Sequence, residues 1–183
     1  MNTTINNESS SGSQAKKSNC SIYVADLADY NSGLLRGCFI DITSLTTVEE
    51  IEEQIQGMLA VKGNEEWAVH DYNNIPYSSE YPNLETLISI VTLVEDYGYN
   101  VIQGFLDYFS EEDLDSFEDF FIGIYRSLED YAYEFVNDCY DLEKQMGDLA
   151  SYFDYAAFAH DLELNGDVQC IPLMGEVALF RSY

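Results

Sequence analysis

Residues 21–42, SIYVADLADYNSGLLRGCFIDI, decide how this chain begins to fold. Two segments rich in β-branched and aromatic residues, 21–26 (SIYVAD) and 35–42 (LRGCFIDI), flank a polar break at Tyr30-Asn31-Ser32-Gly33. That pattern predicts two antiparallel strands joined by a turn. Further on, Thr47 precedes Val48-Glu49-Glu50-Ile51, and Val48, Ile51, Ile55 and Leu59 recur at helical spacing with acids in the first turn. An amphipathic helix is expected there. Residues 66–71 (EWAVHD) read as a third strand. Upstream, residues 1–19 are rich in Ser, Asn, Thr and Gly, carry Lys16 and Lys17, and lack any periodicity. They read as a flexible tail, with order expected from Ser21.

From Tyr81 the period changes. Leu84, Leu87, Ile88, Val91 and Val94 recur at three and four and stop at Tyr97-Gly98, where glycine can take a left-handed cap. Residues 101–109 and 112–121 continue as helices, the second with Leu114, Phe117 and Phe121 inward and Glu112, Asp115, Glu118 and Asp119 outward. The run FFIGIY (120–125) is apolar and too short for periodicity to settle; a strand near residues 122–126 is favoured. Helices are expected at 128–142, with Tyr131, Phe135, Cys139 and Leu142 on one stripe, and at 152–162. Strands at 168–172 and 176–180, separated by a Met174-Gly175 turn, close the chain. The class is therefore α+β, an elongated series of three small modules after the tail. These are an N-terminal sheet-plus-helix module (20–80), a central helical acidic module (81–119) and a C-terminal sheet-plus-helices module (120–183).

Charge is the dominant anomaly. Against 34 Asp and Glu stand only 7 Lys and Arg, a formal net charge of −27 with a pI near 4.1. Acidic disordered chains are poor in aromatics, whereas this one has 15 Tyr, 10 Phe and one Trp and must fold despite its self-repulsion. Such a charge excludes direct nucleic-acid binding and points to a cationic partner or to solubility in strong salt. The distribution is uneven, since no Lys or Arg occurs between Gly63 and Tyr125. Duplex DNA carries one charge per roughly 1.7 Å of axis. A helix with one outward acid per turn supplies one per about 5.4 Å, so roughly three ridges side by side match DNA. Charges numbering 27 would cover on the order of 45 Å of duplex. Composition alone leaves salt adaptation and DNA mimicry equally open.

Enzymatic chemistry finds little purchase. His70-Asp71 and His160-Asp161 invite a metal site, but no further His or Cys stands at ligand spacing. The stretch from Asp161 to Val168 resembles the first eight positions of an EF-hand loop, yet the twelfth, which needs a bidentate Glu, is Pro172. No nucleophile elbow, phosphate-binding glycine loop or dinucleotide fingerprint occurs. Cys20, Cys38, Cys139 and Cys170 show no CxxC spacing and almost no cationic neighbours, so inert, reduced thiols are expected. Carboxylate pairs are too many for one to mark a glycosidase. There is neither a spanning apolar run nor a secretory pattern, so the expected location is the cytoplasm, with no membrane contact.

Several segments resemble a known family. Ile22-Tyr23-Val24-Ala25-Asp26-Leu27, with Tyr30-Asn31-Ser32-Gly33 and Leu35-Arg36-Gly37 after it, resembles the opening of the ArdA antirestriction family. Glu65-Glu66-Trp67-Ala68-Val69-His70-Asp71-Tyr72 is similar too. So are Tyr152-Phe153-Asp154-Tyr155 and Ala159-His160-Asp161-Leu162, which resemble that family's Tyr-Asp-Tyr segment and the Ala-Arg-Asp-Leu after it. The sequence departs at Phe39, where the family has Trp, and at His160, where a fixed Arg cation is lost.

The resemblance implies a non-enzymatic, cofactor-free protein of mobile genetic elements that mimics duplex DNA. It would act as a homodimer through its C-terminal module and fill the DNA groove in the methyltransferase core of type I restriction-modification enzymes. The phosphate-mimicking acids it implies are Glu95, Asp96, Asp107, Glu111, Glu112, Asp115, Glu118, Asp119, Glu129, Asp130 and Glu134. Tyr152, Asp154 and Tyr155 are assigned to folding or to the dimer contact. The rival readings are an acidic calcium-binding protein and a general adaptor for cationic proteins.

Overall fold

The computed structural model describes residues 19–182; the expected tail through residue 18, with Lys16 and Lys17, lies outside them. Among the described residues the class is α+β, with eight α-helices and two three-stranded antiparallel sheets. Strand β1 (Cys20–Asp26) lies between β2 (Gly37–Ile42) and β3 (Trp67–Asn73). Tyr23 pairs with Phe39 on one side and Asp71 on the other, and a bulge follows where Val24 pairs with Val69.

At the expected turn, 30–33, Gly33 N–H donates to Tyr30 O at 2.9 Å and β2 begins only at Gly37, but the turn follows directly on a short helix, α1 (Leu27–Asn31). Its cause is local: the Asp26 carboxylate accepts from the backbone N–H groups of Ala28 and Asp29 and starts a helical turn. Helix α2 (Val48–Ala60) begins at a reciprocal capping box between Thr47 and Glu50 and buries Ile51, Ile55 and Leu59 against the sheet. Burial of three such side chains contributes about 1.5–3 kcal/mol each.

Helix α3 (Leu84–Tyr97) is capped by Asn83, whose side chain accepts from Glu85 and Thr86 N–H, and it buries Leu87, Ile90, Val91 and Val94. Gly98 ends it at φ 90°, ψ 153°, an extended conformation of positive φ instead of the expected left-handed helical cap. The chain can thus turn at once into α4 (Tyr99–Tyr108). Helix α4 lies against the second sheet so closely that a Cβ on Gly104 would come 2.3 Å from Ile171 Cγ2.

The helix expected over 112–121 divides in three. A 3-10 turn (Glu111–Ser116) opens on a Ser110–Asp113 capping box, a single α-turn α5 (Phe117–Phe120) follows, and Phe121 enters β4 (Phe121–Tyr125). Phe121 pairs with Phe180 of β6 (Val177–Arg181), which lies between β4 and β5 (Val168–Pro172). Strand pairing therefore overrides a short helical periodicity. Phe105, Phe117 and Phe180 are fully buried, with ring centroids 5.0–5.7 Å apart. The apolar core is contiguous from Cys20 and Ile22 through α3 and α4 to Ala178 and Phe180, and so crosses the expected module limits at 80/81 and 119/120.

Past β4 the chain forms α6 (Leu128–Cys139), α7 (Leu142–Met146), a second 3-10 segment (Gly147–Tyr152) and α8 (Tyr155–Leu164). Helix α6 stops three residues before the expected 142 because Tyr140 is extended and Asp141 caps α7. Its buried residues are Ala132 and Val136, flanked by half-buried Tyr131 and Phe135; Cys139 is exposed, contrary to the expected stripe. Helix α8 starts at Tyr155, not 152, because the Asp154 carboxylate accepts from Ala157 N–H at 2.9 Å. Gly175, at φ 87°, turns the chain between β5 and β6 as expected.

Candidate functional site

The carboxylates singled out in the sequence fall at successive element ends. Glu95 and Asp96 close α3 and Asp107 lies near the end of α4. Glu111, Glu112 and Asp115 occupy the first 3-10 turn, Glu118 and Asp119 form α5, and Glu129, Asp130 and Glu134 are on α6. All are exposed except Glu95, which is half-buried and accepts from the backbone N–H of Ser44 at 3.1 Å. Ser127 caps α6, its hydroxyl accepting from Asp130 N–H and donating to the Asp130 carboxylate.

Two tyrosines hold members of this set. The Tyr97 hydroxyl donates to Glu118 Oε1 at 2.7 Å, and the Tyr77 hydroxyl donates to Glu111 Oε2 at 2.9 Å. The bond to Glu118 stabilises the protonated phenol, so Tyr97 titrates above the usual tyrosine range, with partial burial and the charges of Glu118 and Asp96 adding to the effect. The end of α3 and the α5 turn therefore form one acidic neighbourhood. Burial, with help from Glu111, pushes Tyr77 up to about 12. Burial also raises Tyr72 to about 12, and its hydroxyl donates to Ser79 O at 2.7 Å. No local pattern signals these bonds, because the partners are 21 and 34 residues apart.

Two cations are engaged by acids inside the N-terminal segment. Arg36 Nη1 lies 3.4 Å from Asp26 Oδ2 and 3.5 Å from Asp29 Oδ2, and its Nη2 donates to Met58 O. Lys62 Nζ reaches Asp29 Oδ1 at 2.9 Å. Asn64 Nδ2 donates to both Asp26 oxygens, at 2.9 and 2.8 Å. That amide, foremost, holds the fully buried Asp26 carboxyl below the usual range, aided by the N–H groups of Asp29 and Ala28 and by Arg36, against the opposing effect of burial. The network joins the end of β1 to the end of α2 and satisfies acids that would otherwise be costly to bury.

An open cleft of about 760 Å³ lies beside the acidic set, between the end of β3 with the following loop and helix α4. Its lining includes His70, Asp71, Tyr77, Tyr99, Asp107 and Glu111, and no Lys or Arg. One α4 wall is ordered by a chain of bonds: Tyr99 hydroxyl to Gln103 Oε1 at 3.1 Å, and Gln103 Nε2 to Asp107 Oδ1 at 2.8 Å.

The C-terminal residues Tyr152, Asp154 and Tyr155 have distinct places. Tyr152 is 83% exposed, Asp154 caps α8, and Tyr155 is half-buried with its ring 5.0 Å from Tyr133 and 4.9 Å from Phe153. Leu149 and Tyr133 are also exposed there. None of the four cysteines is disulfide-bonded; burial raises Cys38 and Cys170, the latter helped by Glu163. Among the described residues no group of three or more His, Cys, Asp or Glu gathers as a metal site, and no helix is long and apolar enough to cross a membrane.

Fold and surface together define a small acidic α+β protein that displays carboxylates along its middle third. The sequence model of the antirestriction protein (ArdA) family matches residues 22–172, and the chain belongs to that family. Among curated proteins, none matches it.

Proposed function

We infer that this antirestriction protein works by imitating duplex DNA, occupying the DNA groove in the methyltransferase core of a type I restriction-modification enzyme. The observation that carries this reading is the series of carboxylates, nearly all exposed, from α3 to the α5 turn, in a stretch from Gly63 to Tyr125 without Lys or Arg, with those of α6 following after Arg126. Two of the cations before that run, Arg36 and Lys62, are paired with Asp26 and Asp29 and so add little positive field of their own. A basic groove evolved for phosphates gains from such a surface by long-range attraction, which steers encounter and weakens as salt rises.

In this reading the protein acts in the cytoplasm by occupancy, without turnover or cofactor, as an elongated homodimer whose three segments lie in series. Exposed Leu149, Tyr152 and Tyr133 in the C-terminal helices support the dimer contact, since exposed apolar side chains favour burial against a partner. Cationic proteins in general are poorer partners than a groove, because matching a line of charges requires shape as well as sign.

The test is displacement of duplex DNA from a purified type I methyltransferase core at physiological salt, with an equally acidic carrier protein as control. Selective displacement by this protein is expected. Equal displacement by the carrier, or none by either, removes groove mimicry as the mechanism.

A further inference from the structure

We propose that the cleft between β3 and α4 is an anchoring pocket for a single arginine side chain of the cationic partner. The proposal rests on the groove-occupying function and adds to it one point of specific recognition. The open acidic run can attract any cation, but this cleft has a shape. Phenol rings of Tyr77 and Tyr99 line it, and carboxylates of Asp71, Asp107 and Glu111 reach it from three different elements or loops.

The residue types select guanidinium over ammonium. A guanidinium ion is planar, weakly hydrated and able to lie against an aromatic face while its edge donates to carboxylates; an ammonium is a strongly hydrated point charge that does this less well. The walls are pre-ordered for the task. Tyr77 is held by Glu111, and Tyr99 and Asp107 are held through Gln103. Those bonds use Glu111 Oε2 and Asp107 Oδ1; neither Glu111 Oε1 nor Asp107 Oδ2 accepts a hydrogen bond from another described residue. Two carboxylate oxygens thus remain for an incoming donor fork. Charge complementarity fixes the occupant's sign, because neither the lining nor the surrounding sequence from Gly63 to Tyr125 contains a cation.

The pocket is tested by itself with N-acetyl-argininamide, followed through the NMR signals of isotope-labelled tyrosine rings at physiological salt. N-acetyl-lysinamide serves as the probe of equal charge. The Tyr77 and Tyr99 rings are expected to shift with arginine more than with lysine, and the shifts to vanish in the D107N/E111Q double variant while the spectrum otherwise keeps its folded dispersion. Equal response to the two probes, or unmoved Tyr77 and Tyr99, overturns the proposal.

A second measurement uses the partner. Tyr99→Leu leaves the net charge unchanged and is expected to weaken binding to the methyltransferase core roughly fivefold. Tyr108→Leu, on the same helix but outside the cleft, is expected to leave it unchanged; equal losses overturn the anchor. If the wild-type protein binds the arginine probe in the cleft but displaces no DNA, the pocket stands and the groove reading falls.

Discussion

The Tyr97 hydroxyl donates a 2.7 Å hydrogen bond to Glu118 Oε1, joining the last residue of α3 to the short α5 turn. An exposed carboxylate on a one-turn helix has little of its own to fix its direction, and this bond supplies it. Tyr97→Phe removes the donor and keeps the ring, which packs tilted against Phe117 and edge-on to Phe121, at centroid distances of 4.8 and 5.0 Å. The expected cost in stability is about 1 kcal/mol or less. Denaturant unfolding measures it, and a loss of several kcal/mol contradicts the modest role given to this bond.

Neutralising acids one at a time should change inhibition of restriction little, because many weak contacts share the interaction. The doublet Glu118→Gln/Asp119→Asn is expected to weaken displacement only slightly at physiological salt. Combining it with Glu112→Gln and Asp115→Asn should abolish most of it and flatten the salt dependence. One neutralisation on the open run that eliminated activity would contradict distributed mimicry.

Tyr72 and Tyr77 should titrate near 12, well above the ordinary phenol value. Their folded values lie above the ordinary 10, so the stability they lend is fully present below about pH 10 and is lost as pH rises towards 12. Absorbance near 295 nm during alkaline titration should show a late class of tyrosines that disappears in denaturant. A single early transition would contradict their burial.

At the acid end the sign reverses. The Asp26 carboxyl is held below its ordinary value, so its contribution is present above about pH 4 and is lost as pH falls through the lowered folded value. Asp26→Asn should lower the melting temperature at pH 7 and flatten its decline on acidification. An unchanged acid profile would show that the network with Asn64 and Arg36 is energetically silent.

Gly104→Ala tests the approach of α4 to β5. The added Cβ would meet Ile171 Cγ2 at 2.3 Å. Overpacking of that kind costs about 1–3 kcal/mol. Alanine recovers up to about 1 kcal/mol in helix propensity. A net loss of about 1 kcal/mol is expected by thermal or denaturant unfolding, and a more stable variant would mean that Ile171 repacks freely.

Much of this was legible without coordinates. Segments rich in β-branched and aromatic residues around a polar break marked β1 and β2, helical spacing marked Ile51, Ile55 and Leu59 and the α3 stripe, and turn chemistry marked Gly175, because each signal lies within a few residues of its cause. Less was legible between 111 and 142. There, local periodicity read two long helices, while strand pairing of Phe121 with Phe180 and the extended Tyr140 ended them early. The exposed acids could be chosen by sequence since a carboxylate on a polar helix face rarely does anything else.

The sequence by itself determined the α+β class, the −27 charge, the cation-free stretch and the family motifs. The tertiary structure alone decided which acids are steered by tyrosines, that Arg36 and Lys62 are engaged by Asp26 and Asp29, and that Tyr77, Tyr99, Asp107 and Glu111 share one cleft. The division follows from range. Patterning and net charge are sums over neighbours and over the whole chain, whereas a hydrogen bond or a cleft depends on where residues tens of positions apart come to rest.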